Sequence, residues 1–151
     1  MPVPEVQFDE LYRELILDHY RNPRHRGTLD DATHHAEGLN PTCGDEVYID
    51  LVLDDETVQQ MAFEGQGCSI SQASTSMLSD MITGKRVSEA RDITKKFEDM
   101  LVAGQEPDPE IGDLEAFQGV AKFHARIKCA TLAAKVLEDA LESPVSAQRG
   151  G

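Results

Sequence analysis

Three cysteines carry the chemistry this sequence allows. Cys43 sits in Pro41-Thr42-Cys43-Gly44-Asp45, Cys68 in Gly65-Gln66-Gly67-Cys68-Ser69, and Cys129 in Arg126-Ile127-Lys128-Cys129-Ala130. Thiolates are soft metal ligands and strong nucleophiles. Cys68 is expected where a glycine turn meets a helix N-terminus, whose unsatisfied N–H groups and dipole favour a thiolate. Cys43 is expected in a turn leading into a strand, with Asp45 two residues on; Gly44 between them lets both side chains reach one point. Cys129 is expected to open the last helix. Cys43, Asp45, Cys68 and Cys129 would then supply the four ligands of a tetrahedral zinc site.

The competing reading makes each cysteine a small buried hydrophobe. There is no Cys-x-x-Cys pair, and the gaps of 25 and 61 residues match no zinc-finger spacing. Charge favours a site: three thiolates, one carboxylate and Zn²⁺ sum to about −2, which calls for nearby cations. Arg126 and Lys128 flank the third cysteine and are candidates to bind the group held there. Other polar clusters have simpler readings. His34 and His35 are strand neighbours pointing to opposite faces. Asp54-Asp55-Glu56 is turn chemistry. The basic run Arg21, Arg24, His25 and Arg26 is a docking surface or, by default, a solvated loop.

The positioning elements follow from length and periodicity. A chain of 151 residues with 40% hydrophobic content fits one domain, residues 1–151, with a flexible start at 1–5 and a flexible tail at 144–151. The core is aliphatic, because there is no Trp and only 5% aromatic residues. A net charge of −14 makes nucleic acid and anionic membranes poor partners. The N-terminus reads as no secretory signal, and no apolar run reaches the length of a membrane span. These features point to the cytoplasm, where thiols stay reduced, and three cysteines then suit metal or thiol chemistry rather than disulfides.

Phe8, Leu11, Tyr12, Leu15, Ile16 and His19 share one helical face, which should stop before Pro23. A short strand is expected over 34–38. Val47, Ile49, Leu51 and Leu53 alternate with polar neighbours and predict a strand over 46–53, returning after the turn as a strand over 57–64. Ile70, Ala73, Ser74, Met77, Leu78 and Met81 then switch to helical spacing, with Ser69 or Ser71 as N-cap and Gly84 as stop. Val87, Ala90, Thr94, Phe97 and Leu101 predict another helix. Residues 103–113 read as an exposed acidic insertion, with a short helix over 114–117. Leu132, Ala133, Val136, Leu137 and Ala140 predict a final helix ending by Pro144. The order implies an α+β fold, with a small three-stranded antiparallel sheet and helices packed on one face.

The three cysteine segments, the third read through Ala133, resemble the signature motifs of the IscU/NifU-like iron–sulfur cluster assembly family, over nearly the whole chain. Lys128, where scaffold members carry histidine, and the acidic insertion around 102–119 resemble its SufU branch. That branch implies a zinc-bound sulfurtransferase that takes persulfide sulfur from a SufS-type cysteine desulfurase and passes it to a downstream iron–sulfur scaffold complex. The implied zinc ligands are Cys43, Asp45, Cys68 and Cys129. The resemblance further implies that a desulfurase histidine displaces one cysteine from zinc. Cys43 is then the catalytic acceptor, while Cys68 and Cys129 hold the site. The alternative is a scaffold on which a 2Fe–2S cluster is assembled on the same cysteines, with iron in place of zinc. His124 stands where the branch often has proline, five residues ahead of Cys129, and places an imidazole near the site.

Overall fold

The structure, a computed structural model, describes residues 13–41 and 44–145. Helix α1 covers 13–21 among these and stops before Pro23, as the restriction on the residue before proline requires. Strands β1 (His34–Asn40), β2 (Asp45–Asp54) and β3 (Thr57–Gln66) follow. Helices α2 (Ser69–Ile82) and α3 (Val87–Val102), a 3-10 segment (Pro109–Lys122) and helix α4 (His124–Leu141) complete the chain.

The strands form one antiparallel sheet in the order β1-β2-β3. Alternation in β2 sets its faces. Val47, Ile49 and Leu51 are fully buried, whereas Tyr48, Asp50 and Val52 are half-buried. The β2–β3 turn is two residues long, and both Asp55 and Glu56 take positive φ, of 52° and 62°. Those angles match the twist of the flanking strands. Helix α4 packs across β1 and β2, and α2 lies beside it against β3. Gly38 permits that approach, because a Cβ there would lie 2.5 Å from Val136 Cγ2 of α4.

Four of the five serines of α2, Ser71, Ser74, Ser76 and Ser79, are buried, which explains how a segment of modest helix propensity holds its place. Ser74 and Thr75 hydroxyls donate to the Ser71 carbonyl, and Ser79 donates to Ser76 O. Ser76 Oγ also accepts from Arg24 N at 2.9 Å and pairs with His19 Nδ1 at 2.8 Å, tying α1 and the following loop onto α2. Burial holds the His19 pKa below its usual range, so this ring packs as a neutral group.

Three expectations need correction. The region read as an exposed insertion is exposed only in part. Pro109–Lys122 forms 3-10 turns, broken at Gly112 (φ 54°, ψ −128°), and buries Ile111, Leu114, Phe117 and Val120. Their spacing of three is the 3-10 period. Phe117 meets Phe97 of α3 edge-on, with ring centroids 5.7 Å apart. Cys129 does not open α4; the helix begins at His124, so the cysteine lies in its second turn. The tail is pinned at its start, since Val145 N donates to Thr33 O and Pro144 bridges to His34. The segments 1–5 and 146–151, expected to be flexible, lie outside the described residues.

Irregular segments also line the sheet edges. On β3, Gly27 N donates to Phe63 O, Phe63 N donates to His25 O, and Thr57 bridges to Arg86. On β1, His35 N donates to Ser143 O.

Candidate metal centre

Asp45 is the first residue of β2 and is only 1% exposed. Its Oδ1 accepts the Cys68 N–H at 2.9 Å, and its Oδ2 lies 4.0 Å from Cys68 Sγ. Cys68 is the N-cap of α2 and makes no side-chain cap bond of its own. The start of this helix is therefore fixed by a carboxylate from the sheet rather than by Ser69 or Ser71. Gly67 makes the approach possible. Its φ is +146°, and a Cβ there would collide with the Asp45 carboxylate and lie 2.9 Å from Asp45 Cα. Cys129 comes in from α4, fully buried, its Sγ 3.8 Å from Ala125 O.

One ligand atom from each of Asp45, Cys68 and Cys129 lies within 4.8 Å of the others. Tetrahedral zinc with Zn–S bonds of about 2.3 Å sets neighbouring sulfurs about 3.8 Å apart. The trio needs to contract by no more than about 1 Å to meet that geometry. Burial supports the same fit. Asp45 forms no ion pair with any described residue. A buried carboxylate without a counter-charge is costly, and a cation between it and two thiolates would supply one. The residues therefore fit a thiophilic divalent ion.

Cys43 lies outside the described residues. Gly44, between it and Asp45, is exposed at φ +71°, and a Cβ there would meet no atom within 4 Å. Arg126 and Lys128 are both exposed on the first turns of α4. Arg126 lines an open cleft of about 690 Å³ that reaches Cys68, whereas Lys128 is not part of that lining. His124 is exposed at the first position of α4.

Sequence reasoning missed two members of this cleft. Arg13 of α1 and Lys122 at the end of the 3-10 segment line it together with Arg126, above walls that include Ile16, Ile70 and Val120. Phe123, 63% exposed, stands at its rim. The only signal in the sequence was the scarcity of cations in an acidic chain.

The other polar clusters are used internally. Arg24 pairs with Asp18 at 2.7 Å, and His25 lies 3.6 Å from Asp80. Arg26 pairs with Glu64 at 3.3 Å and lies over the Phe63 ring. His35 Nδ1 is 2.6 Å from Asp50 Oδ1, and its Nε2 is 3.2 Å from Glu37 Oε2. Burial opposes protonation of that ring, but the two carboxylates outweigh it and raise its pKa. His34 instead hydrogen-bonds Thr33.

A three-stranded antiparallel sheet under helices, with Asp45, Cys68 and Cys129 meeting at its end, matches one known class. The NifU-like N terminal domain family matches residues 11–142, and the chain belongs to that family. The zinc-dependent sulfurtransferase SufU of Bacillus subtilis is 49% identical over 148 residues, covering 97% of each chain. The iron–sulfur cluster assembly scaffold protein IscU of Streptococcus pyogenes is 38% identical over 143 residues, covering 94% of this chain and 89% of its own. Among solved structures, the N-terminal part of a NifU-like protein from Brucella abortus superposes with a TM-score of 0.81 at 25% identity, over 89% of this chain and 94% of the other. No helix among the described residues is long and apolar enough to cross a membrane.

Proposed function

We propose that this chain is a zinc-bound sulfurtransferase of iron–sulfur cluster assembly that accepts sulfur from a SufS-type cysteine desulfurase. The observation that carries the reading is the meeting of a buried Asp45 carboxylate, without an ion pair among the described residues, with Cys68 and Cys129. The extensive identity to a protein named a zinc-dependent sulfurtransferase supports it. Asp45, Cys68 and Cys129 would hold the ion, with Cys43 as the fourth ligand. Bound zinc keeps thiols deprotonated at neutral pH and guards them from oxidation.

The protein's own residues then divide the work. Asp45 and Gly67 fix Cys68 at the helix start, and α4 holds Cys129 within the core. Cys43, in the connection between β1 and β2, is the acceptor. Its thiolate attacks the outer sulfur of the desulfurase persulfide. The S–S bond to the desulfurase cysteine breaks, that cysteine leaves as a thiolate, and the persulfide resides on Cys43. Arg126 and Lys128 offset the negative charge of the centre, and a downstream iron–sulfur scaffold complex receives the sulfur.

The second reading is a scaffold for a 2Fe–2S cluster, which the IscU relative favours. Lys128 counts against it, because a protonated ammonium beside Cys129 cannot ligate iron. The test is a desulfurase assay with zinc-loaded protein. Wild type is expected to stimulate the desulfurase, and Cys43→Ala to abolish that stimulation. Undiminished stimulation by Cys43→Ala would remove Cys43 as acceptor. Uptake of a stable, transferable cluster in place of zinc would favour the scaffold.

A further inference from the structure

We propose that the cleft beside Cys68 binds a small thiol carrying at least two carboxylates, and that this thiol collects sulfur from the site and carries it towards the downstream scaffold complex; only the collection step rests on the sulfurtransferase reading. The cleft is open and measures about 690 Å³, room enough for a small molecule. Three cations, Arg13, Lys122 and Arg126, line it. None of them forms an ion pair with a described residue, a state they share with Arg21, Lys85, Arg86, Lys128 and Lys135, but these three are gathered around one cleft.

Three cations left without carboxylate partners around one hollow, in a chain of net charge −14, mark a place for an anion. Helix α2 adds to this, since its first turn holds no acidic residue and its N-terminal Ser69 and Ile70 face the same cleft. The apolar walls suit an aliphatic stem, and Cys68 at one end sets where a ligand sulfur would lie. The overall negative charge repels an acidic protein surface, whereas a small anion feels chiefly the local field of the three cations.

In the collection step the ligand thiolate attacks the outer sulfur of the cysteine persulfide held at the site. A new S–S bond forms on the ligand, the old one breaks, and the cysteine leaves as a thiolate, so no net oxidant or reductant is needed.

The test is calorimetric titration of the zinc-loaded full chain with glutathione and with S-methylglutathione. The methylated probe keeps both carboxylates and presents no thiolate to the metal. It should bind with a submillimolar Kd, weakened about tenfold or more by Lys122→Glu and by Arg13→Glu, and weakened by salt. Circular dichroism of each variant confirms that it is folded. No saturable binding below about 10 mM, or equal affinity in the folded charge-reversed variants, overturns the proposal. So does binding of glutathione alone, which would be metal ligation, or preferential binding of an oligoglutamate peptide, which would assign the cleft to a protein. Desulfurase is absent from this assay, so failure of the sulfurtransferase reading shows in the Cys43→Ala experiment and not here.

Discussion

Replacing Gly67 with alanine is expected to damage fold and metal centre together. At φ +146° an L-residue is strained, at a cost of about 1–3 kcal/mol. The new Cβ would also lie 2.9 Å from Asp45 Cα, which cannot retreat without moving the start of β2, and would overlap the Asp45 carboxylate. Displacing that carboxylate breaks its bond to the Cys68 N–H, worth about 1.5–3 kcal/mol for a charged acceptor. The combined loss of about 2.5–6 kcal/mol should lower Tm by roughly 5–24 °C for a chain of this size. Because Asp45 moves, zinc affinity should fall by at least about tenfold.

Gly44→Ala is the control. Its φ is +71°, but a Cβ there meets nothing within 4 Å, so only backbone strain of about 1–2 kcal/mol applies and Asp45 stays in place. Thermal unfolding with and without zinc, and zinc titration against a chromophoric chelator, read both effects. A Gly67→Ala protein with Tm within about 2 °C of wild type and unchanged zinc affinity would refute the reasoning.

Two further outcomes are expected. Burial, then the hydrogen-bonded proximity of Glu138, push the Glu98 pKa up to about 8, against the pull of Lys135 and Lys95. The folded chain thus keeps a proton that the unfolded chain releases near 4.5, and stability falls as pH rises from about 4.5 to about 8. Glu98→Gln should flatten that slope and stabilise the protein at pH 8 by about 1–3 kcal/mol, allowing for water at this half-buried site; parallel pH profiles for the two proteins would contradict it. Chelation should lower Tm without loss of helical signal, because the core closes without the metal centre. With free zinc at about 1,000 times its Kd the ion adds about 4 kcal/mol, and unfolding on chelation would instead mean a purely structural zinc.

The sheet was legible because Val47, Ile49 and Leu51 alternate, and α2 because its apolar residues fall on one face despite the serines. Of the residues expected at the site, Asp45, Cys68 and Cys129 converge, and Cys43 lies outside the described residues. What stayed hidden depends on distant parts of the chain. A carboxylate from β2 overrides the local serine caps at the start of α2. Phe123, the N-cap of α4, has no side-chain cap bond, so the sequence does not mark how far Cys129 lies inside the helix. The 3-10 segment was hidden for a local reason, since its buried residues recur every third position among prolines, glycines and acids. Arg13 and Lys122 meet only through tertiary folding, and no window of sequence contains both.

The backbone of β3 has a consequence for assembly. With residues 25–27 laid along it and residues 84–85 along its far end, its outer amides and carbonyls are engaged at Phe63 and Val58. A partner chain would have to strip away those segments before it could extend the sheet there. Pairing of copies into ribbons through this rail is thereby opposed by the fold itself.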